Sequence, residues 1–408
     1  MIKLPKLLQL ALLKKEDSQE KRFLVLDTGS RVVKSACFSI DASNKIKVEG
    51  FGKEIRVGDG LKALEEATIG AVNKARSALG ERIADLVYAI PSEKAILCTT
   101  TAKITRAKPQ SPIKESEIAE ITAKITKSAY IESAKRYGEL YKNAEAKIDL
   151  LNTSFVATTI DGSKVLNPLK YQGEKIEASL FCAFAPEEEI KKAKRLAQIL
   201  GCHLSAVTSS LYTITKSLTL KNLDFNGTIV DIGAKVTNVA VVFGGGIYAN
   251  LAVNLGTEDG REKICEVLGI SPAESGKILE MYKDQKLDPE SYNKVKGALH
   301  NSIDVWITGL ESLFLQFEGV KIFPENIYLL GGGSNIAEYQ NLLTTQDWSK
   351  NIAFKSAPVI TKLELSDLWY LTPNATEEPS LKGETGTLSL GLAGLELWKE
   401  GALYGNTN

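Results

Sequence analysis

Histidine is almost missing from this chain: there are two in 408 residues, His203 and His300, and neither sits in a metal-ligand spacing. A zinc constellation is demanding, so both read as structural or solvated side chains. Paired cysteines are missing too. Cys37, Cys98, Cys182, Cys202 and Cys265 are scattered, mostly inside apolar runs, with no CxxC. That pattern reads as buried thiols in a reducing compartment. Net charge is absent: fifty basic and fifty acidic residues cancel. Without a global basic field, nucleic acid is not an expected partner. No apolar run is long enough to span a bilayer. What is present is ordinary soluble composition, 44% hydrophobic and 25% charged, over a length that suggests two or more domains.

Against this plain background two stretches look like one device used twice. Leu24 to Lys34 runs through Asp27-Thr28-Gly29-Ser30, and Ile229 to Ala240 runs through Asp231-Ile232-Gly233-Ala234. Each is an apolar strand, an Asp-x-Gly turn, and a second apolar strand. Glycine lets the backbone approach a ligand closely, and successive N–H groups can point at phosphate oxygens. An aspartate at the strand end can hold a metal ion, directly or through water. Two facing copies would clamp a nucleotide tail from both sides.

Around these turns the pattern alternates strands and helices, which argues for a layered α/β chain. Leu61 to Leu79 reads as a helix and Leu86 to Ile90 as a buried strand. A different texture follows: a strand at 95–104, a helix through Ile118, Ile121, Ile125 and Ala129, then strands at 148–160 and 176–184 with Asp161-Gly162 as a hairpin turn. A compact α+β module therefore interrupts the first domain. The helix 186–200 opens acidic and turns basic, which matches its dipole. Later come helices at 258–268, 272–283 and about 291–317, a strand at 327–330 ending in Gly331-Gly332-Gly333-Ser334, and an apolar, small-residue tail at 386–397. At the N-terminus, Leu4, Leu7, Leu8, Ala11 and Leu12 share one helical face edged by lysines. This suits a short amphipathic helix on an anionic membrane. A frayed leader, or a helix docked on its own domain, fits the same residues, and both readings stand.

Three glycine-rich strand ends thus occur in order, at 27–30, 231–233 and 331–334, around an inserted module. In that order they resemble the actin-like ATPases. Residues 159–173 and Glu187-Glu-Glu-Ile are similar to the inserted subdomain of the FtsA cell-division family. The spelling Asp-Ile-Gly-Ala-x-x-Thr-Asn is similar to the PilM pilus-assembly family. The resemblance covers about residues 23–397. It implies an α/β actin-like ATPase fold, with two lobes of ribonuclease-H-like core and a small inserted α+β (SHS2-type) subdomain. The implied organisation is an N-terminal amphipathic segment and linker at 1–21 and a first lobe at 22–90, closed by a helix at 186–203. The inserted subdomain takes 91–185. A second lobe occupies 204–256 and 321–400, with a helical subdomain at 257–320 and a tail at 401–408.

The resemblance also implies a site for ATP and Mg2+. Asp27 and Asp231 would be the catalytic carboxylates, holding the metal through water. Thr28, Gly29, Ser30 and Lys34 would bind phosphates from one side, and Gly233, Ala234 and Thr237 from the other. Gly331, Gly332, Gly333 and Ser334 would support adenosine, and Lys277 would flank the base. Lys34 serves equally as a strand-covering lysine, and Lys277 as an exposed helix lysine.

Three departures matter. Ala234, Lys235 and Val236 stand where relatives often have glycines and threonine, and non-glycine residues strain at φ > 0. Asn238 replaces a carboxylate. Ser209 stands where a group positioning the attacking water is expected, and positioning is most of phosphoryl-transfer catalysis. The expectation is therefore nucleotide binding with, at most, slow ATPase turnover. As an FtsA-like protein the chain would link a filament of a tubulin-like division protein to the inner face of the cell membrane. As a PilM-like adaptor it would dock an inner-membrane assembly protein's peptide in the inserted module. Self-association and peripheral membrane contact through residues 1–15 are further expectations. A small-molecule kinase and a scaffold that has lost nucleotide binding are the remaining alternatives.

Overall fold

The strand and helix signals assemble into three sheets in the computed structural model, which describes residues 21–41, 43–77, 79, 83–142, 147–165, 167–372 and 379–399. The amphipathic segment expected at 1–15 and the tail 401–408 lie outside the described residues. Among the described residues no helix is long and apolar enough to cross a membrane.

The chain opens with β1 (Lys21–Thr28), β2 (Val32–Ile40), β3 (Ile46–Ile55), α1 (Leu61–Arg76) and β4 (Asp85–Ala89). Phe23, Leu24, Val25 and Leu26 of β1 are all fully buried. That continuous apolar run suits a central strand covered on both faces. β1 pairs antiparallel with β2 and parallel with β4. The inserted module follows as β5 (Ile96–Thr105), α2 (Glu115–Tyr141), β6 (Ile148–Ile160), β7 (Ser163–Lys164) and β8 (Lys175–Pro186), with sheet order β5-β8-β6-β7. α2 covers one face of this sheet and buries Ile118, Ile121, Ile125 and Ala129, the helical stripe read from the sequence.

Residues 159–173 turn out to serve this module's structure. The Arg106 side chain, 2% exposed, donates to both oxygens of Glu117 at 2.6 and 3.0 Å. It also donates to the carbonyls of Pro109, Ser111 and Gly173. The fixed guanidinium fork satisfies three loop carbonyls and one carboxylate at once.

The chain returns through α3 (Glu187–Leu200) and β9 (His203–Thr208), then α4 (Ser210–Lys221). A second sheet follows: β10 (Gly227–Ile232), β11 (Thr237–Phe243), β12 (Gly246–Val253), α5 (Thr257–Leu268), α6 (Pro272–Lys283), α7 (Pro289–Phe314), β13 (Asn326–Leu330), α8 (Ala337–Thr345) and β14 (Val359–Lys362). The described residues close with α9 (Thr385–Ser389) and α10 (Gly391–Lys399). The strand orders β3-β2-β1-β4-β9 and β12-β11-β10-β13-β14 are the same order built twice.

Two expected boundaries differ. β9 hydrogen-bonds to β4, so residues 203–208 complete the first sheet and do not begin the second. The apolar tail was assigned to the second lobe, yet Leu388, Leu390, Leu392 and Leu395 share a core with Phe23 and Phe38. α4, which leaves the first sheet, contacts β10 and β12, while α9 and α10, which leave the second, contact β1 and β2 or β9. Each lobe is thus closed by the other's last helix. Apolar periodicity shows that such a helix is buried, but not against which partner.

Candidate functional site

The two Asp-x-Gly turns are matched position by position. Asp27 faces Lys34 across β1 and β2, and Asp231 faces Asn238 across β10 and β11. A Cβ on Gly29 would lie 2.6 Å from the Val32 carbonyl oxygen, and one on Gly233 would lie 2.6 Å from that of Val236. Both glycines are therefore required by close backbone approach. Neither is required by handedness, because positive φ occurs at neither, nor at Ala234 or Lys235. The strain expected of Ala-Lys-Val in the second turn is absent for that reason. The turn closes with Gly233 N–H donating to the Val236 carbonyl at 3.0 Å.

Around the turns the structure gathers more carboxylates than the sequence pattern showed. The Lys34 ammonium lies 2.7 Å from Glu384, with its side chain 21% exposed. Burial alone would lower its pKa; Glu384, Asp27 and Asp231 outweigh that and hold it up at about 12. Lys34 therefore points inward as a permanent cation. Asp231 is pushed up to about 7 by burial and then by Asp27, against the pull of Lys34. Asp27 accepts a 2.6 Å hydrogen bond from Thr387. Glu384 and Thr387 were missed as site residues. Their signal was the polar, small run Gly383-Glu384-Thr385-Gly386-Thr387 just before an apolar helix.

Glu93 was also missed. It lies in the 3₁₀ turn Ser92–Lys94 after β4, and Asn238 Nδ2 donates to it at 3.4 Å. Asn238 is 6% exposed and its Oδ1 has no partner within the protein. Ser209, expected beside the water, is buried as the N-cap of α4, and its hydroxyl lies 3.0 Å from that of Ser92. The acidic group at this edge of the site is therefore Glu93.

The remaining candidates divide. The Thr28 hydroxyl bonds Tyr88 at 3.0 Å. The Thr237 hydroxyl donates to the Leu255 carbonyl and accepts from the Trp306 indole, both at 2.8 Å. These hydroxyls hold the protein together and are not free for phosphate as expected. Gly331 takes φ +83°, and a Cβ there would fall 2.3 Å from Asp231 Oδ1. The third glycine run thus backs the second turn. Ser334 donates to the Gly331 carbonyl at 2.8 Å, and Gly332 faces open space. Lys277 is exposed on α6, and no described contact brings it to the turns.

The turn tips meet across the cleft. Ser30 Oγ accepts from the Lys235 N–H at 3.3 Å. Two facing aspartates, one with its pKa driven up by the other and by burial, are a donor set short of positive charge, and a divalent cation fits that shortage. Among the described residues no group of three His, Cys, Asp or Glu side chains is placed to ligate a metal directly. The aspartates therefore suit a hydrated ion.

A second concavity, about 270 Å3, lies between the inserted module and α4. Phe155, Phe181, Tyr212, Leu220 and Leu223 line it, and Phe181 stacks on Tyr212 at 4.7 Å. β6 also lines it at residues 154–158; on that edge it pairs with β7 at Thr159 and Ile160, and the Thr158 carbonyl accepts from the Val165 N–H at 2.9 Å. Lys164 and Asp224 form an ion pair at its rim.

No protein-family model matches the chain, and no curated protein matches it. Solved structures do. A PilM–PilN type IV pilus biogenesis complex aligns over 92% of this chain and 98% of that one, with TM-score 0.56 and 16% identity. This chain has the actin-like ATPase fold. Other actin-like similarities include MreB5 of Spiroplasma citri bound to ADP, over 94% and 99% of the two chains with TM-score 0.45 and 10% identity. A diol dehydratase-reactivating factor aligns over 93% and 100%, with TM-score 0.46 and 10% identity. At 16% identity the likeness to the PilM–PilN structure shows the fold alone, and the site rests on its own geometry.

Proposed function

We propose that this protein is a nucleotide-controlled adaptor. It binds ATP with Mg2+ between its lobes and docks a partner's peptide in the groove beside the inserted module, at the inner face of the cell membrane. The observation that carries the nucleotide half is the matched pair of turns, with Asp27 and Asp231 converging on Lys34. Asp27 and Asp231 hold the hydrated ion, while Gly29, Ser30 and Ala234 offer backbone N–H groups; that of Gly233 closes its own turn on Val236. Turnover is slow, because Ser209, on the chain entering α4, is buried against Ser92 and positions no water. Titration calorimetry with MgATP tests this: Asp27→Ala and Asp231→Ala each abolish measurable binding. Wild-type affinity in both variants would sink the reading.

The groove favours the PilM-like form, in which a membrane-bound assembly protein presents a short extended peptide. An open strand edge supplies main-chain hydrogen bonds, and an apolar wall supplies side-chain pockets. Leu220 and Leu223 are 46% and 49% exposed, so changing them tests docking without disturbing the core. Leu223→Asp is expected to weaken peptide capture at least about tenfold, as loss of one apolar anchor does. The FtsA-like form, linking a division filament to the membrane, rests on the likeness of residues 159–173 and 187–190. Pull-downs against pilus-type and division-type partners separate the two. Membrane contact through residues 1–15 is tested by deleting them: unchanged co-sedimentation with anionic liposomes would exclude it.

A further inference from the structure

The turns match in one more respect, which involves no residue assigned above. Four positions beyond each aspartate stands a cation: Arg31 after Asp27 and Lys235 after Asp231. Each reaches across the cleft to a carboxylate of the opposite lobe. Arg31 Nη1 lies 2.6 Å from Glu258 Oε1, and Lys235 Nζ lies 2.8 Å from Asp59 Oδ1. The carboxylates are placed alike as well. Glu258 is in the first turn of α5, which follows β12, and Asp59 precedes α1, which follows β3. β3 and β12 hold the same place in the two sheets. The contacts form a reciprocal pair, related by the internal repeat of the fold.

We propose that Arg31 and Lys235 are the residues that receive the terminal phosphates in this protein, held by Glu258 and Asp59 until a nucleoside triphosphate exchanges for those carboxylates. The inference rests on the nucleotide reading above. Three carboxylates (Asp27, Asp231 and Glu384) act on the Lys34 ammonium, and Lys53 lies 3.5 Å from Glu384, so among these groups negative charge exceeds positive. A triphosphate adds more, and Arg31 and Lys235 are the cations carried on the two turn tips themselves. Entry must part Ser30 from the Lys235 N–H, now 3.3 Å apart, and that movement pulls both cations off their carboxylates. Glu258 is not left bare, because Arg261 Nε already stands 3.7 Å from its other oxygen. The Asp59 loop is held independently by Arg56, which donates to the carbonyls of Asp59 and Gly60. The carboxylates can therefore release their cations without collapse of their own segments. Phosphate bears more charge than a carboxylate and accepts from guanidinium in a fork, which favours the exchange.

Calorimetry with ATP, ADP and adenosine, each with Mg2+, on wild type and four variants provides the test. Arg31→Gln and Lys235→Gln are expected to weaken ATP by about tenfold or more, ADP less and adenosine not at all, as loss of one charge-assisted bond implies. Asp59→Asn and Glu258→Gln are expected to tighten ATP severalfold, because no carboxylate then competes. Equal losses for ATP and adenosine, or unchanged ATP affinity in both cation variants, would overturn the assignment. Hydrogen exchange without nucleotide is the second measurement. Amides at 29–31 and 233–236 should exchange faster in Asp59→Asn and Glu258→Gln, and unchanged exchange overturns the latch. A wild type that binds no nucleotide overturns the proposed function instead, and the exchange result then still decides whether the cross-lobe contacts hold the tips.

Discussion

The first turn and the second turn share a backbone and differ in charge. Both place a glycine where a Cβ would strike the carbonyl three residues on, and both put an aspartate at the strand end. Opposite Asp27, however, stands Lys34, and opposite Asp231 stands Asn238 with an unpartnered oxygen. One aspartate is compensated directly. The other shares that distant cation, and its pKa is driven up to about 7. Repetition of the fold therefore preserves geometry, while the side chains divide the work: one turn brings positive charge and the other carries a protonatable acid. A site built this way is poised for an added cation, and its turn tips already reach for opposite charge across the cleft.

The largest change should come at Gly331, where φ is +83° and a Cβ would lie 2.3 Å from Asp231. Gly331→Ala should cost roughly 2–3 kcal/mol in chemical denaturation and abolish nucleotide binding, as strain at a special backbone position does. Gly332→Ala, with nothing within 4 Å of its Cβ, should be nearly silent in both. Equal effects would mean the third glycine run does not back the second turn.

Next comes charge. Lys34→Gln leaves Asp27, Asp231 and Glu384 facing one another, and should destabilise by about 2 kcal/mol, as removing one partner from a buried ionic cluster does. Asn238→Ala should cost less than half of that. If the two variants match, the turns are not unequal.

The third test uses pH. A carboxyl whose folded pKa is raised binds its proton more tightly in the native state, so its contribution to stability falls as pH rises between about 4 and 7. Asp231→Asn should flatten that fall in the ligand-free protein. It should also leave the fold more stable at pH 8, by on the order of 1–2 kcal/mol after allowance for solvent screening, while losing MgATP. Thermal melts from pH 4 to 8 decide it. The smallest effect is expected at Lys277, exposed on α6: Lys277→Ala should change ATP affinity by less than about twofold.

Much of this was legible in the chain. Apolar runs ending in Asp-x-Gly marked both turns, and the isoleucine stripe at 118–125 marked the inserted module's helix. What was not legible shares one cause. Glu384 and Thr387 stand some 360 residues from Asp27, so no local pattern ties them to the first turn. Glu93 carries no local signal, and only its contact with Asn238 of another sheet brings it to the site. The hydroxyls of Thr28 and Thr237 looked like phosphate ligands until Tyr88, Leu255 and Trp306 took them.

The amino-acid sequence by itself determined the repeated strand–turn–strand units, the inserted module and the identity of the two aspartates, because these depend on residues close together along the chain. Tertiary structure alone decided which carboxylates surround Lys34, which helix closes which lobe, and that Arg31 and Lys235 reach across the cleft. Charge acts through distance in space, and the fold, not spacing along the chain, sets that distance.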